Sequence, residues 1–250
     1  MSLPTWAFEG DVGLQCVGLV LASAVGVLLY YLPLRILQQQ RNTRALMLLE
    51  PNAKAASAGL MLYSCFGMLQ PHLPSGLRTC LGAPPSSGVL CFLGGAAIGS
   101  GLVFHISRHY GDASPNAANA AVLAHGIAEG AGLGLLVGSP GFDAVFRGQV
   151  LHGVPDGALV AMVSLGRYGL LRAMRTALFA RLAQAAAYYA AAVYLPPVPE
   201  DVAQIAEGVA LGSMAAMVWE ELAKPARDAL GGKTAILIIA AAAGASAAAC

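Results

Sequence analysis

Long apolar segments alternate with short polar ones along the whole chain. A helix needs about 20 mainly apolar residues to cross a bilayer, and eight segments of about that length follow one another. The predicted spans are approximately residues 13–34, 55–73, 88–107, 117–138, 145–165, 176–195, 203–222 and 233–249. Turn-forming residues separate most of them, at 51–52, 84–88, 111–115, 138–141, 195–197 and 231–232. The pattern predicts an all-α membrane protein with a single polytopic domain, residues 1–250.

Composition supports this class. The chain is 57% hydrophobic and 11% charged, whereas a soluble domain carries about 25% charged residues. The N-terminal segment lacks the basic region of a cleavable signal peptide, so we expect the first span to be permanent. The five cysteines are odd in number and lack CxxC spacing, which favours apolar packing over a zinc cluster or disulfide framework. A net charge of +1 gives no indication of a nucleic-acid partner.

Basic residues in short loops predict how the spans are oriented, because they concentrate on the cytoplasmic side. Most of them follow spans one, three, five and seven: Arg35, Arg41, Arg44, Lys54, Arg108, Arg167, Arg172, Arg175, Lys224, Arg227 and Lys233. The opposite loops hold Arg78 and Arg147 among several acidic residues. With an even number of spans, this asymmetry places both termini on the extracytoplasmic side.

Two of the predicted spans each carry a histidine and a carboxylate four residues apart. These pairs are His125 with Glu129 and His152 with Asp156, and the spacing puts both members on one helix face. An unpaired charge inside a membrane costs about 2.5–3.5 kcal/mol on insertion scales, so the repeated pair predicts a bound cation. Imidazole and carboxylate suit zinc, iron(II) and manganese, and metal affinity should fall in acid because the ligands must lose protons. Hydrogen bonding to neighbouring helices, or the lining of a water-filled cavity, is the alternative.

Small residues surround both pairs. They recur every four residues in span four and again in span five, at Gly126, Gly130 and Gly134 and at Gly153 and Gly157. Such spacing lets helix backbones approach closely, so we expect spans four and five to pack against each other. Pro155 removes a backbone hydrogen bond to Leu151 and predicts a bend in span five.

The two motifs resemble those of the ZIP (Zrt- and Irt-like) metal transporters, particularly the GufA-type branch. Residues 125–130 read His-Gly-Ile-Ala-Glu-Gly, and residues 152–157 read His-Gly-Val-Pro-Asp-Gly. The family typically has His-Asn-x-x-Glu-Gly in span four and a Pro-Glu-Gly motif in span five. Residues 58–62 and 212–222 look like its second and seventh spans. The resemblance implies eight spans, extracytoplasmic termini, metal transport into the cytosol, and a homodimer in many members.

The resemblance also implies which side chains bind metal. One metal position maps onto His125, Glu129, His152 and Asp156. The second departs from the family pattern, because Gly126 and Gly153 replace polar residues and Gln184 stands where the family often has Glu. Gln184 could coordinate through its carbonyl, and one good metal position is expected. The weaker candidates lie near the inner ends of spans seven and three: Glu220, Glu221, His105 and His109. Glu220 and Glu221 also fit solvated acids balanced by nearby bases.

The expected function is secondary transport of zinc, or of iron or manganese, into the cytosol. We expect no enzymatic activity, no cofactor and no nucleic-acid partner; the partners are the metal ion and the bilayer. The plasma membrane is favoured over an organellar one. By analogy with the family, spans one, four, five and six would move against the others.

Two alternatives compete with transport. One is an intramembrane metal-dependent hydrolase, which needs an open water position and a separate base; the chain has no HExxH motif and no obvious spare base. The other is a transport-defective metal sensor or scaffold, which the departures at Gly126, Gly153 and Gln184 suggest.

Overall fold

The computed structural model describes residues 11–69, 87–110, 115–138, 142–195 and 199–249. These ranges are helical almost throughout, and no strand occurs in them. The helices are α1 (Asp11–Gln39), α2 (Thr43–Leu69), α3 (Ser87–Tyr110), α4 (Pro115–Leu135), α5 (Phe142–Tyr194), α6 (Glu200–Met217), α7 (Lys224–Leu230) and α8 (Gly232–Ala249). The prediction of an all-α chain is confirmed for the described residues.

Predicted spans five and six are joined without a loop. Helix α5 contains both, and its backbone leaves helical angles at Gly169, where φ is 76° and ψ is 174°. A glycine adopts such a positive φ without steric cost. The chain therefore changes direction between a first arm, residues 142–168, and a second arm, residues 170–194. Arg172, which the sequence placed in a loop, lies on the second arm with its guanidinium 4.1 Å from the centre of the Tyr168 ring.

The predicted turn at Pro51 and Asn52 is wrong. Both residues lie inside α2, which begins twelve residues before the predicted start of span two. The chain turns instead at Arg41, whose φ is 52°, and the side-chain oxygen of Asn42 accepts a hydrogen bond of 3.0 Å from the backbone N–H of Ala45. An asparagine before the first turn satisfies a backbone donor that would otherwise be unpaired. This cap starts the helix early, and Pro51 is accommodated within it.

Predicted span seven is longer than its apolar pattern indicated. Helix α6 continues through a π-helical turn, Val218–Ala223, into α7 with right-handed backbone angles at both junctions. This continuous stretch from α6 to α7, which we call the rod, ends before Gly231, whose φ is 82°. The turn predicted at residues 231–232 is therefore confirmed. Parts of several other predictions lie outside the described residues: residues 84–86, 111–114, 139–141 and 196–197 of the predicted turns, and residues 70–73 of span two.

Three helical stretches in the described ranges are long and apolar enough to cross a membrane. They are Val12–Gln39, Ser87–His105 and Asp201–Leu230, and the apolar stretch Gly232–Ala247 is shorter. Large apolar side chains point outward from several helices, among them Leu14, Met47, Ile98, Leu171 and Leu237. Exposed apolar surface of this extent fits a lipid environment. The helices therefore indicate a membrane protein.

The helices pack in two groups. Helices α1 and α4 lie against α5, whereas α3 lies against α6 and α2 against α8. Within each group the backbones nearly touch at glycines, where an added Cβ would collide with a carbonyl oxygen of the partner helix: Gly26, Gly59, Gly95, Gly99, Gly130, Gly134, Gly157, Gly208 and Gly212. A buried apolar core that includes Val27, Met61, Leu159 and Met214 joins the two groups.

The glycines near the paired motifs have different partners from those expected. Gly130 and Gly134 of α4 approach Gln184 and Tyr188 of the second α5 arm, which is predicted span six. Gly157 of the first arm approaches Ser23 of α1. The close packing expected from four-residue spacing is present, but the expected glycine contact between spans four and five is wrong. A spacing of small residues identifies a helix face without identifying which helix covers it.

Neighbouring glycines in α3 offer a test of this packing. A Cβ at Gly95 would collide with the carbonyl group of Ile205 in α6, whereas a Cβ at Gly94 would meet no atom within 4 Å. We expect Gly95→Ala to destabilise the detergent-solubilised protein by about 1–3 kcal/mol through overpacking. Gly94→Ala should be neutral or stabilising by up to about 1 kcal/mol, because alanine favours the helix. Thermal unfolding followed by circular dichroism measures both, and equal midpoints would contradict the packing.

Candidate metal centre

Each histidine lies beside the carboxylate one turn later on its own helix. In α4, Nε2 of His125 is 3.0 Å from Oε1 of Glu129. In the first arm of α5, Nε2 of His152 is 3.5 Å from Oδ1 of Asp156. All four residues are buried, with at most 3% of their surface exposed. The predicted spacing therefore produces two matching nitrogen and oxygen pairs inside the helix bundle.

The two pairs converge at one point. The Nε2 atoms of His125 and His152 are 3.4 Å apart, and Oε1 of Glu129 is 3.5 Å from His152 Nε2. One ligand atom from each of these residues and from Asp156 lies within 4.8 Å of the other three. Ligands about 2.1 Å from a tetrahedral zinc are about 3.4 Å from one another. Most of the spacings already match a four-coordinate divalent ion.

Ser213 of α6 determines the orientation and the tautomer of the His125 imidazole. Its hydroxyl lies 2.9 Å from Nδ1 of His125 and 2.9 Å from the carbonyl oxygen of Ala210, to which it donates. The hydroxyl proton is thereby used, so Nδ1 of His125 is the donor to the serine oxygen. The lone pair of Nε2 then faces the cluster, as metal binding requires.

Arg181, which was not among the predicted site residues, also enters the cluster. It comes from the second arm of α5 and is 2% exposed. Its Nη2 donates to Oδ2 of Asp156 and its Nη1 to Oε1 of Gln184, and Nη1 is 3.9 Å from Oε2 of Glu129. The sequence alone could have identified Arg181, because a charged residue within a predicted membrane span indicates a functional position by itself.

Two glutamines complete the buried polar network. Gln149 donates to Oε1 of Glu129 over 3.3 Å, and Gln184 donates to Oε2 of Glu129 over 3.3 Å and to Gln149 over 3.4 Å. Gln149 was also missed, although it precedes His152 by three residues and so shares its helix face. The carbonyl oxygen of Gln184, predicted as a weak ligand, accepts from Arg181. One of the two lone pairs of that oxygen is therefore already occupied.

The two glycines at the second predicted metal position make space for neighbouring helices. A Cβ at Gly153 would be 2.8 Å from the Cβ of Ala22 in α1 and 3.5 Å from Nη2 of Arg181. A Cβ at Gly126 would be 3.4 Å from the carbonyl oxygen of Ala180. The guanidinium therefore lies where a larger residue at 153 would extend.

The weaker predicted ligands whose side chains the structure describes do not join the cluster. Among the described residues, the close group of histidines, cysteines and acids consists of His125, Glu129, His152 and Asp156. Glu220 lies on the π-helical turn, where Lys224 pairs with it at 3.3 Å, and Glu221 follows it. His105 is exposed near the end of α3, and the side chain of His109 lies outside the described residues.

The cluster has an excess of negative charge when both imidazoles are neutral. Glu129 and Asp156 carry two negative charges, and Arg181 supplies one positive charge. In addition, the lone pair on Nε2 of His125 faces Oε1 of Glu129 at 3.0 Å. Such an arrangement is repulsive unless a proton or a metal ion lies between the two atoms, since a buried net charge requires compensation. The chemistry of the site therefore favours a cation.

No protein-family model matches the chain, and no curated protein matches it in sequence. The indications of function in this chain come from its own residues. They form a buried cluster that can hold a divalent metal ion, in an all-helical protein with apolar helices long enough to cross a membrane.

The serine that orients His125 has a matched control elsewhere in the chain. Ser164 is equally buried, and its hydroxyl has no hydrogen-bond partner in the part of the chain that the structure describes. We expect Ser213→Ala to weaken zinc binding by about 10–100-fold, which is typical when a metal-bound histidine loses its orienting partner. Ser164→Ala should leave zinc affinity unchanged. Calorimetric titration of the purified protein measures both, and an equal effect of the two substitutions would contradict the role of Ser213.

Proposed function

We propose that this protein is a membrane transporter of the ZIP type that moves zinc, or a related ion such as iron(II) or manganese, into the cytosol. The observation that carries the proposal is the convergence of His125, Glu129, His152 and Asp156 inside a bundle that includes apolar, membrane-length helices. Two imidazoles and two carboxylates suit these borderline ions better than they suit magnesium or calcium, which prefer oxygen ligands alone.

The position of the cluster between helices supports transport over a purely structural metal site. Its ligands come from α4 and α5, in one helix group, and α6 of the other group reaches His125 through Ser213. If α1, α4 and α5 moved as one group against α2, α3, α6, α7 and α8, the contact between Ser213 and His125 would change. The glycine contacts of α1 and α4 with α5 support the movement of the first group as a rigid unit.

We also propose the arrangement in the membrane. The two arms of α5 are spans five and six, and the rod from α6 through α7 is span seven, which makes eight spans with α1 to α4 and α8. The concentration of arginine and lysine in alternate loops supports extracytoplasmic termini. The plasma membrane is the proposed location, with an organellar membrane as the alternative.

Uptake of zinc into proteoliposomes tests the proposal. The purified chain is reconstituted with a trapped zinc-sensitive dye, and zinc is added outside. We expect Asp156→Asn to reduce uptake to the level of protein-free liposomes, because it removes a charged ligand without changing the side-chain shape. Asp228→Asn is the matched control, since Asp228 is an exposed partner of Arg227 at 3.2 Å, and its uptake should equal that of the wild type.

Each other result of this experiment has a defined meaning. Equal uptake by Asp156→Asn and wild type would contradict the site assignment. Zinc binding without uptake would favour a sensor or scaffold over a transporter. Cleavage of an added lipid or peptide without zinc flux would favour a metal-dependent hydrolase. Repeating the uptake with iron(II) and manganese as competitors would rank the ions.

A further inference from the structure

Each carboxylate of the cluster has one oxygen near the imidazoles and the other near the guanidinium of Arg181. Oε1 of Glu129 faces the imidazoles, at 3.0 Å from His125 and 3.5 Å from His152. The other oxygen, Oε2, lies 3.9 Å from Nη1 of Arg181. Asp156 is divided in the same way, with Oδ1 near His152 and Oδ2 bonded to Nη2 of Arg181. A metal ion among the imidazoles would therefore share each carboxylate with the guanidinium.

The guanidinium is held permanently at this position. An arginine side chain keeps its charge at all physiological pH values, and Arg181 is buried with Gln184 as a further acceptor. An added Cβ at Gly153 would be in van der Waals contact with Cζ of Arg181 at 3.6 Å, so a side chain longer than that of alanine would extend into the guanidinium. One side of the two carboxylates thus has a resident cation, and the other side has the donor atoms for a second.

We propose that Arg181 is a tethered cation that weakens the hold of the site on its metal ion so that the ion can leave. This inference rests on the proposed function, because it assumes that the cluster binds the transported ion. The guanidinium reduces the negative charge available to the metal and repels it across the shared carboxylates. A closed set of two carboxylates and two imidazoles ordinarily belongs to a structural site, and a neighbouring positive charge would make such a site release its ion more readily.

A purely structural role for Arg181 predicts the opposite change in affinity. If the arginine only orients Asp156, its removal should weaken metal binding, as the loss of an orienting partner does by about 10–100-fold. If it repels the ion, its removal should strengthen metal binding. The direction of the change in zinc affinity therefore distinguishes the two roles.

The test is a zinc titration of the full chain in detergent, with a competing chelator to set free zinc. We expect Arg181→Met to bind zinc at least tenfold more tightly than wild type. Arg181→Lys, which keeps the charge, should stay within threefold of wild type. In proteoliposomes at saturating zinc, the methionine variant should transport more slowly because release is slower. Zinc affinity in Arg181→Met that is equal to or weaker than wild type would overturn the proposal.

A second variant covers the case in which Arg181→Met does not fold. Arg181→Gln keeps an amide donor for Asp156 and removes the positive charge, which should tighten zinc binding by tenfold or more. Unchanged or weaker binding by this variant would overturn the proposal. If the wild type neither binds nor transports zinc, the proposed function itself fails. If the wild type does both and neither variant binds more tightly, only the role of Arg181 fails.

Discussion

Two buried carboxylates inside the helix bundle are shared between a pair of imidazoles and a guanidinium. Glu129 and Asp156 lie where water cannot compensate their charge, and a buried charge needs hydrogen bonds or an opposite charge from its surroundings. Arg181 compensates one charge from one side. The imidazoles approach from the other side and leave the site short of one positive charge, which is the physical reason that it suits a metal ion.

Close helix packing brings these side chains within reach of one another. Glycines of α4 lie against the second arm of α5, and Gly157 of the first arm lies against α1. The change of direction at Gly169 allows two distant parts of one helix to face α4 together. Asp156 and Arg181 are 25 residues apart in sequence and form an ion pair as a result. The change of direction at Gly169 and the close contacts at the glycines therefore contribute to the geometry of the site, as the ligands do.

The site combines side chains that are strong metal ligands with the positive charge of a neighbouring guanidinium. Histidine and carboxylate donors bind borderline divalent ions well, and a closed set of four such ligands ordinarily belongs to a structural site. The adjoining guanidinium and the contact from α6 to His125 are the two features on which we base the proposal that the ion is held reversibly. These features favour an ion that enters and leaves over one that remains in place.

Much of the architecture follows from periodicity alone. Apolar segments of membrane length predicted the helices, and the four-residue spacing of histidine and carboxylate predicted which side chains share a face, because both depend on local geometry. The chain order does not reveal which face meets which neighbour. Tertiary packing therefore decided the partners of the glycines, the passage of α2 through Pro51 and the entry of Arg181 and Gln149 into the cluster. A charge becomes a counter-ion only where the folded chain places it beside an opposite charge.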